Sequence, residues 1–110
     1  MKFEVPEDLC KAYERALKFA VKHGPSYFEP ELTLLEVGRI AALALNESLS
    51  VYNVEKSNRS GTEYKIIVRY EDFGSKQMQF AMFEFSQSSF QTIGKRWDIV
   101  RFQDPYINLN

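Results

Sequence analysis

Cysteine and histidine are nearly absent from this sequence, which has one of each among its 110 residues. A single cysteine excludes an intramolecular disulfide and a cysteine cluster for a metal, and a lone histidine leaves a zinc site without its usual ligands. Cys10 and His23 lie thirteen residues apart on one predicted helix. Roughly 20 Å of helix would then separate the thiol from its base. We therefore expect no metal, no cofactor and no Cys–His nucleophile.

Glycine is also scarce, with five in the chain. The glycines in the turns stand singly, so no glycine-rich loop is available to hold a phosphate group. No serine lies in the setting of a nucleophile elbow. Glu71 and Asp72 are adjacent and would point to opposite sides of a strand, which makes them a poor acid–base pair. The sequence therefore predicts a protein that is not an enzyme.

An excess of charge of either sign is missing, since 14 basic and 15 acidic residues give a net charge of −1. Without a basic face to follow a phosphate backbone, we expect no nucleic-acid partner. The longest apolar stretch, around Ile40 to Leu45, is too short to span a bilayer, and we expect no membrane partner. Met1 to Asp8 lack the apolar core of a signal peptide, which together with the lone cysteine favours a cytoplasmic protein.

What the sequence does contain is a change in the spacing of its apolar residues at Ser48. Apolar residues recur at helical spacing before it and alternate as in strands after it. We therefore expect one α+β domain over residues 1–110, with two N-terminal helices packed on a four-stranded antiparallel curved sheet. A long polar connection is predicted over Gln87–Gly94. The predicted first helix is Pro6–His23, and the predicted strands are Leu49–Lys56, Thr62–Glu71, Lys76–Ser86 and Lys95–Gln103.

The second helix has the best-defined start in the chain. Thr33 is a good N-cap, and Glu36 three residues later completes a capping box. Beyond it, Ile40 to Leu45 make the helix apolar nearly all round. Such a helix is usually central and covered on more than one side, which is what we expect here.

The last two predicted strands carry apolar residues on both faces. One explanation is a β-bulge, which shifts the register by one residue and lets a single core face take all of them. The other is a second buried face, covered by another copy or by a partner protein. The residues on one face are Met78, Phe80, Met82, Trp97 and Ile99, and those on the other are Phe83, Phe85, Val100 and Phe102.

The segment from Gly94 to Phe102 resembles the last strand of NTF2-like domains, where a Gly-Lys-Trp-x-Ile pattern is frequent. Helices followed by long antiparallel strands are also similar in order to the NTF2-like and cystatin-like groups of folds. The resemblance implies a range of functions, because NTF2-like relatives include isomerases and dehydratases as well as adaptors, dimerisation modules and immunity proteins. Fold alone does not choose among them.

The leading hypothesis is a small non-enzymatic protein-binding or dimerisation module, of which an inhibitor, immunity or adaptor protein is one form. It would act through an apolar-aromatic sheet face toward a protein partner or a second copy. Aromatic residues and arginine are the usual types at binding hot spots. The residues assigned to this face are Phe83, Phe85, Val100 and Phe102, with Arg101 at the rim.

The alternative is a small-molecule-binding or isomerase-type NTF2-like protein. Its pocket would lie between the first helix and the sheet. The residues assigned to line that pocket are Tyr13, Tyr64, Tyr70 and Trp97.

Overall fold

A computed structural model describes residues 5–22, 32–90 and 94–107 of the chain. It contains two helices followed by a four-stranded antiparallel sheet, which confirms the predicted α+β class. The elements are α1 (Glu7–Lys22), α2 (Leu34–Ala44), β1 (Ser50–Lys56), β2 (Glu63–Glu71), β3 (Met78–Phe90) and β4 (Gly94–Gln103).

Helix α1 begins directly after Pro6, which suits the first turn because its missing N–H is not needed there. Glu7 and Asp8 lie in the first turn and Lys22 in the last, as the helix dipole favours. The predicted end at His23 lies outside the described residues. The helix buries one stripe made of Leu9, Tyr13 and Ala20. No helix within the described ranges has the length and apolar character needed to cross a membrane.

Helix α2 begins with the predicted capping box. The Thr33 hydroxyl accepts a hydrogen bond from the Glu36 N–H at 3.2 Å, and the Glu36 carboxylate accepts one from the Thr33 N–H at 2.7 Å. Two backbone donors that the first turn would leave unpaired are thereby satisfied.

The prediction that α2 is central and covered on more than one side is wrong. The helix buries only Val37, Ile40 and Leu43. Leu34 and Leu35 are 72% and 67% exposed on the remaining surface. An apolar helix is covered on several sides only where the fold places other elements against each side. In this fold the side of α2 that carries Leu34 and Leu35 faces solvent.

The four strands form a meander in the order β1-β2-β3-β4. The turn between β1 and β2 is organised by Asn58, whose side-chain oxygen accepts from the N–H groups of Thr62 and Glu63 at 3.0 and 3.2 Å. Gly61 in this turn has a φ of +73°, a conformation that glycine adopts without steric cost. The predicted break between the strands Leu49–Lys56 and Thr62–Glu71 thus coincides with this turn.

The predicted long connection over Gln87–Gly94 is wrong. Strand β3 continues to Phe90 and β4 begins at Gly94, so the two strands form a longer hairpin than expected. Gln87 pairs with Trp97 inside the ladder. The polar residues that follow Ser86 belong to a paired strand, because backbone pairing does not need an apolar side chain at every position.

A β-bulge interrupts the pairing of β3 with β4. Glu84 is opposite Arg101 and the next residue, Phe85, is opposite Ile99, which leaves Val100 as an extra residue in β4. The bulge brings Phe102 and Ile99 to the same face of the sheet, where both are buried. For β4 the first of the two explanations therefore holds.

Strand β3 carries apolar residues on both faces with no bulge against β2, because that pairing runs without a break from Glu63 opposite Ser86 to Glu71 opposite Met78. The helices cover the face that holds Ala81, Phe83 and Phe85. We call the opposite surface of the sheet the outer face. A small second cluster lies there, formed by Ile67, Met82, Tyr106 and the partly buried Phe80.

Candidate functional site

Three of the five residues predicted to bind a partner lie in the core beneath the helices. Phe83, Phe85 and Phe102 are 0%, 1% and 6% exposed, so the assignment of these residues to a free sheet face is corrected. Val100 is 40% exposed and Arg101 is exposed, because the bulge turns both away from the core. The predicted set is therefore divided between the two sides of the sheet.

Phe83 is the centre of an aromatic cluster. Its ring lies 5.3 Å from Tyr13 in an edge-to-face arrangement and 4.9 Å from Phe102, measured between ring centroids. Phe85 stacks against it at 6.4 Å. Helix α1 is held on the sheet by these contacts, since burial of large aromatic side chains contributes strongly to stability.

The four residues assigned to a pocket under α1 all belong to this same core. Tyr64 and Trp97 pack edge to face with centroids 5.6 Å apart, and Phe83 fills the space below Tyr13. Trp97 Nε1 is buried and has no hydrogen-bond partner among the described residues. The structure therefore places the four aromatic side chains in one packed core, with a direct ring contact between Tyr64 and Trp97.

An apolar patch lies on the outer face, at the end where β2 turns into β3. Tyr52 packs edge to face on Phe80 with ring centroids 4.8 Å apart. Tyr52 and Met78 remain 50% and 41% exposed. We define the outer patch as Tyr52, Met78, Phe80 and Tyr106. The stripe of Met78, Phe80 and Met82, which was predicted on the face opposite Phe83 and Phe85, thus lies on the side of the sheet away from the helices.

The segment after β4 folds over the outer face. The Tyr106 N–H donates to the Phe80 carbonyl at 2.7 Å, and the ring of Tyr106 is buried against Ile67 and Met82. Part of the second apolar face is therefore covered by the chain itself. This role of Tyr106 has no periodic signal in the sequence, because Asp104-Pro105 ends the strand just before it.

Asp104 connects this segment to the sheet and to α2. Its carboxylate accepts a hydrogen bond from the Tyr70 hydroxyl, and its backbone carbonyl accepts one from Arg39 Nη1 at 2.6 Å. Burial raises the pKa of Tyr70 above its ordinary value, and the hydrogen bond to Asp104 and the negative charge there raise it further. These three residues are distant in sequence, so no motif could have predicted their contact.

Two adjoining clefts, of about 220 and 480 Å³, lie near this connection and share Asn46, Glu71 and Phe73. Asn46 Nδ2 donates to the Glu71 carbonyl at 3.0 Å and so holds the end of α2 against the sheet. Asp72 in the smaller cleft has a lowered pKa, because the Ser75 N–H and hydroxyl donate to its carboxylate. Within the described ranges, no group of three His, Cys, Asp or Glu side chains could hold a metal ion.

A row of charged residues crosses the outer face beside the apolar patch. The strand register places Glu55 opposite Lys65, Lys65 opposite Glu84, and Glu84 opposite Arg101. One residue comes from each strand, and the sign alternates across the sheet. The Asn53 amide donates to the Glu55 carboxylate at 3.1 Å on the same face. We call these four residues the charge row.

We expect the free energy of unfolding to fall as the pH rises above 10, because burial raises the pKa of Tyr13 from 10.0 to about 12. In that window the unfolded chain loses the phenol proton while the folded chain keeps it, so a higher pH favours unfolding. One pKa unit corresponds to about 1.4 kcal/mol, which gives a loss of roughly 2–3 kcal/mol from Tyr13 by pH 12. The raised pKa of Tyr70 adds a loss of the same sign.

Urea denaturation at a series of pH values from below 10 to 12 measures this effect. Tyr13→Phe should flatten the decline, since phenylalanine has no proton to lose. The matched control is Tyr52→Phe, which removes a hydroxyl from a half-exposed ring. If Tyr13→Phe declines as steeply as the unmodified protein, burial of the Tyr13 hydroxyl is not the cause.

Comparison with protein-family models, with curated proteins and with solved structures finds no match for this chain. The resemblance to the NTF2-like and cystatin-like groups therefore stays a prediction from the sequence.

Proposed function

We propose that the protein is a small non-enzymatic protein-binding or dimerisation module that acts through the outer face of its sheet. The observation that carries this proposal is the outer patch, where Tyr52 and Met78 stay half-exposed beside Phe80. A single sheet normally buries one face and leaves the other polar. Apolar and aromatic side chains grouped on the second face are typical of interaction surfaces.

The proposed contact surface is the outer patch and not the predicted set around Phe83 and Phe102. Phe83, Phe85 and Phe102 hold the helices on the sheet, whereas Arg101 stays accessible on the outer face near the patch. An inhibitor, immunity or adaptor protein is one form that such a cytoplasmic module takes. The NTF2-like resemblance supports this range of forms without choosing among them.

The test replaces Tyr52 and Met78 together by glutamate. We expect the double variant to lose association, because two charges would be placed in the middle of an apolar contact. Light scattering after size exclusion measures self-association, and pull-down from a cell extract measures capture of other proteins. The matched control replaces Leu34 and Leu35 together by glutamate, which puts the same two charges on apolar residues of α2 that are 72% and 67% exposed. If the double variant and the control associate like the unmodified protein, the outer patch is not the contact surface.

A second candidate is binding of a small molecule in the smaller cleft. Of the four residues predicted to line a pocket, Tyr70 is the one that lines this cleft, together with Arg39 and Asp104. The cleft supports a ligand site at the end of α2 instead of beneath α1.

A further inference from the structure

We propose that the partner of the outer face is a second copy of this chain, laid face to face by a two-fold axis that runs parallel to the strands between β2 and β3. This inference rests on the proposed function, because it uses the same outer face. It adds the identity of the partner and the geometry of the contact.

The signs of the charge row alternate across the sheet. Reading across the strands from β1 to β4, the row runs negative, positive, negative, positive, through Glu55, Lys65, Glu84 and Arg101. Reversing such a row exchanges every sign. A surface with this property complements its own reversed copy, which is what an isologous two-fold interface requires.

Rotation about a two-fold axis along the strands reverses the order of the charge row. A two-fold axis parallel to the strands places β1 of one copy over β4 of the other, and β2 over β3. Glu55 then faces Arg101 of the second copy, and Lys65 faces its Glu84. Because the axis is two-fold, each of these pairs occurs twice, so all eight charges of the two rows meet an opposite charge.

An axis in the plane of contact but perpendicular to the strands is the other simple arrangement, and it places each strand over itself. Where such an axis runs along the charge row, Glu55 faces Glu55 of the second copy and Lys65 faces Lys65. Like charges brought together at an interface are strongly unfavourable, so the charge row selects the axis parallel to the strands.

The same axis also brings Arg69 of one copy to Phe80 of the other. Arg69 is opposite Phe80 within the sheet, so reversal places Arg69 over Phe80 of the second copy, where a guanidinium can stack on an aromatic ring. Aligned sheets pack face to face about 10 Å apart, a distance that side chains of this size can fill. Glu71 is opposite Met78 in the same way, so the axis places Glu71 over Met78 of the second copy, and the outer patch packs against the stems of charged side chains while the charge row supplies the orientation.

The experiment uses two variants of the full chain, Lys65→Glu and Glu84→Lys. Each variant alone places like charges opposite one another in the proposed dimer, and we expect self-association at least about tenfold weaker than in the unmodified protein. An equimolar mixture places opposite charges together again, so a heterodimer should form. Light scattering should give 12.8 kDa for each variant alone and twice that mass for the mixture.

The mixture separates this proposal from a structural role. Lys65 and Glu84 are also neighbours within one sheet, and either substitution can weaken the fold by placing like charges side by side. That weakening stays within each chain and is not relieved by mixing. The control is Arg15→Glu, which changes the net charge as Lys65→Glu does from an exposed site on α1 and should leave the dimer intact. A second pair, Glu55→Lys and Arg101→Glu, repeats the test if a first variant fails to fold.

Three results would overturn the proposal. The unmodified chain could be monomeric at all concentrations, either single variant could dimerise like the unmodified chain, or the mixture could stay monomeric. A failure of the proposed dimer can be distinguished from a failure of the proposed function. If the unmodified chain is monomeric but captures another protein that the Tyr52 and Met78 double variant does not, the outer face binds a different partner.

Discussion

Replacing Phe83 by alanine should lower the free energy of unfolding by about 3–5 kcal/mol, the usual cost of truncating a fully buried aromatic side chain. Phe83 is 0% exposed and its ring contacts Tyr13 from α1, Phe85 from its own strand and Phe102 from β4. Truncation would leave a cavity at the point where helix and sheet meet. Because natural domains have total stabilities of about 5–15 kcal/mol, this loss removes a large part of the stability and should lower the urea midpoint clearly.

Urea denaturation followed by circular dichroism measures this change. The matched control is Phe73→Ala, which truncates a phenylalanine that is 76% exposed and should change stability by less than about 0.5 kcal/mol. The result also distinguishes the two positions considered for Phe83. A residue on a free contact face would lose binding and keep stability, whereas a core residue loses stability first. Equal stability of the two alanine variants would contradict the packing described for Phe83.

The parts of the fold that could be predicted from sequence are those decided by local periodicity. The capping box at Thr33 and Glu36 needs only residues three apart, and the stripe of α1 around Leu9 and Tyr13 needs only one helix. The turn at Asn58 also depends only on nearby residues, because the Asn58 side chain accepts hydrogen bonds from backbone N–H groups four and five residues later. The capping box, the position of the first helix and the break between the first two strands were predicted, and all three are confirmed.

The contact surface could not be predicted in the same way, because it depends on a pairing defect. Alternation alone puts Val100 with Phe102 and opposite Ile99. The bulge at Val100 reverses this relation for the residues before it, so Ile99 and Phe102 share the core. A sequence that permits a bulge does not state at which residue it occurs, since that depends on how well each side chain packs against the neighbouring strand.

The connection through Asp104 was beyond sequence reasoning for a different reason. Tyr70, Arg39 and Asp104 come from β2, α2 and the segment after β4, and only the tertiary fold brings them together. The same applies to the smaller cleft, which is lined by these three regions together with the connection after α2 and the turn between β2 and β3. No spacing in the chain relates these residues, so no local rule could identify them.

The segment that follows Asp104 also determines how much of the outer face is available to a partner. Tyr106 covers Met82 and Ile67, while Tyr52 and Met78 stay partly exposed. A bound partner would therefore meet a surface built in part by this segment. Changing Tyr106 should affect both the stability of the chain and the shape of the proposed contact surface.

Tyr106→Ala should lower the free energy of unfolding by about 3 kcal/mol, within the range found for truncating buried aromatic residues. Tyr106 is 7% exposed, and among the described residues its ring packs over Met82 and Ile67. Its removal opens an apolar area of the outer face to water, which costs about 25 cal/mol for each Å² exposed. Urea denaturation measures the loss, and increased binding of a fluorescent hydrophobic dye to the folded variant reports the newly exposed surface.

Ile107→Ala is the matched control, because Ile107 is the next residue and is 78% exposed. Its truncation should change stability by less than about 0.5 kcal/mol and leave dye binding unchanged. Tyr106→Phe keeps the ring and should retain most of the stability that Tyr106→Ala loses. If Tyr106→Ala were as stable as Ile107→Ala, the segment after Asp104 would not hold the outer face closed, and the free apolar surface offered to a partner would extend to Met82 and Ile67.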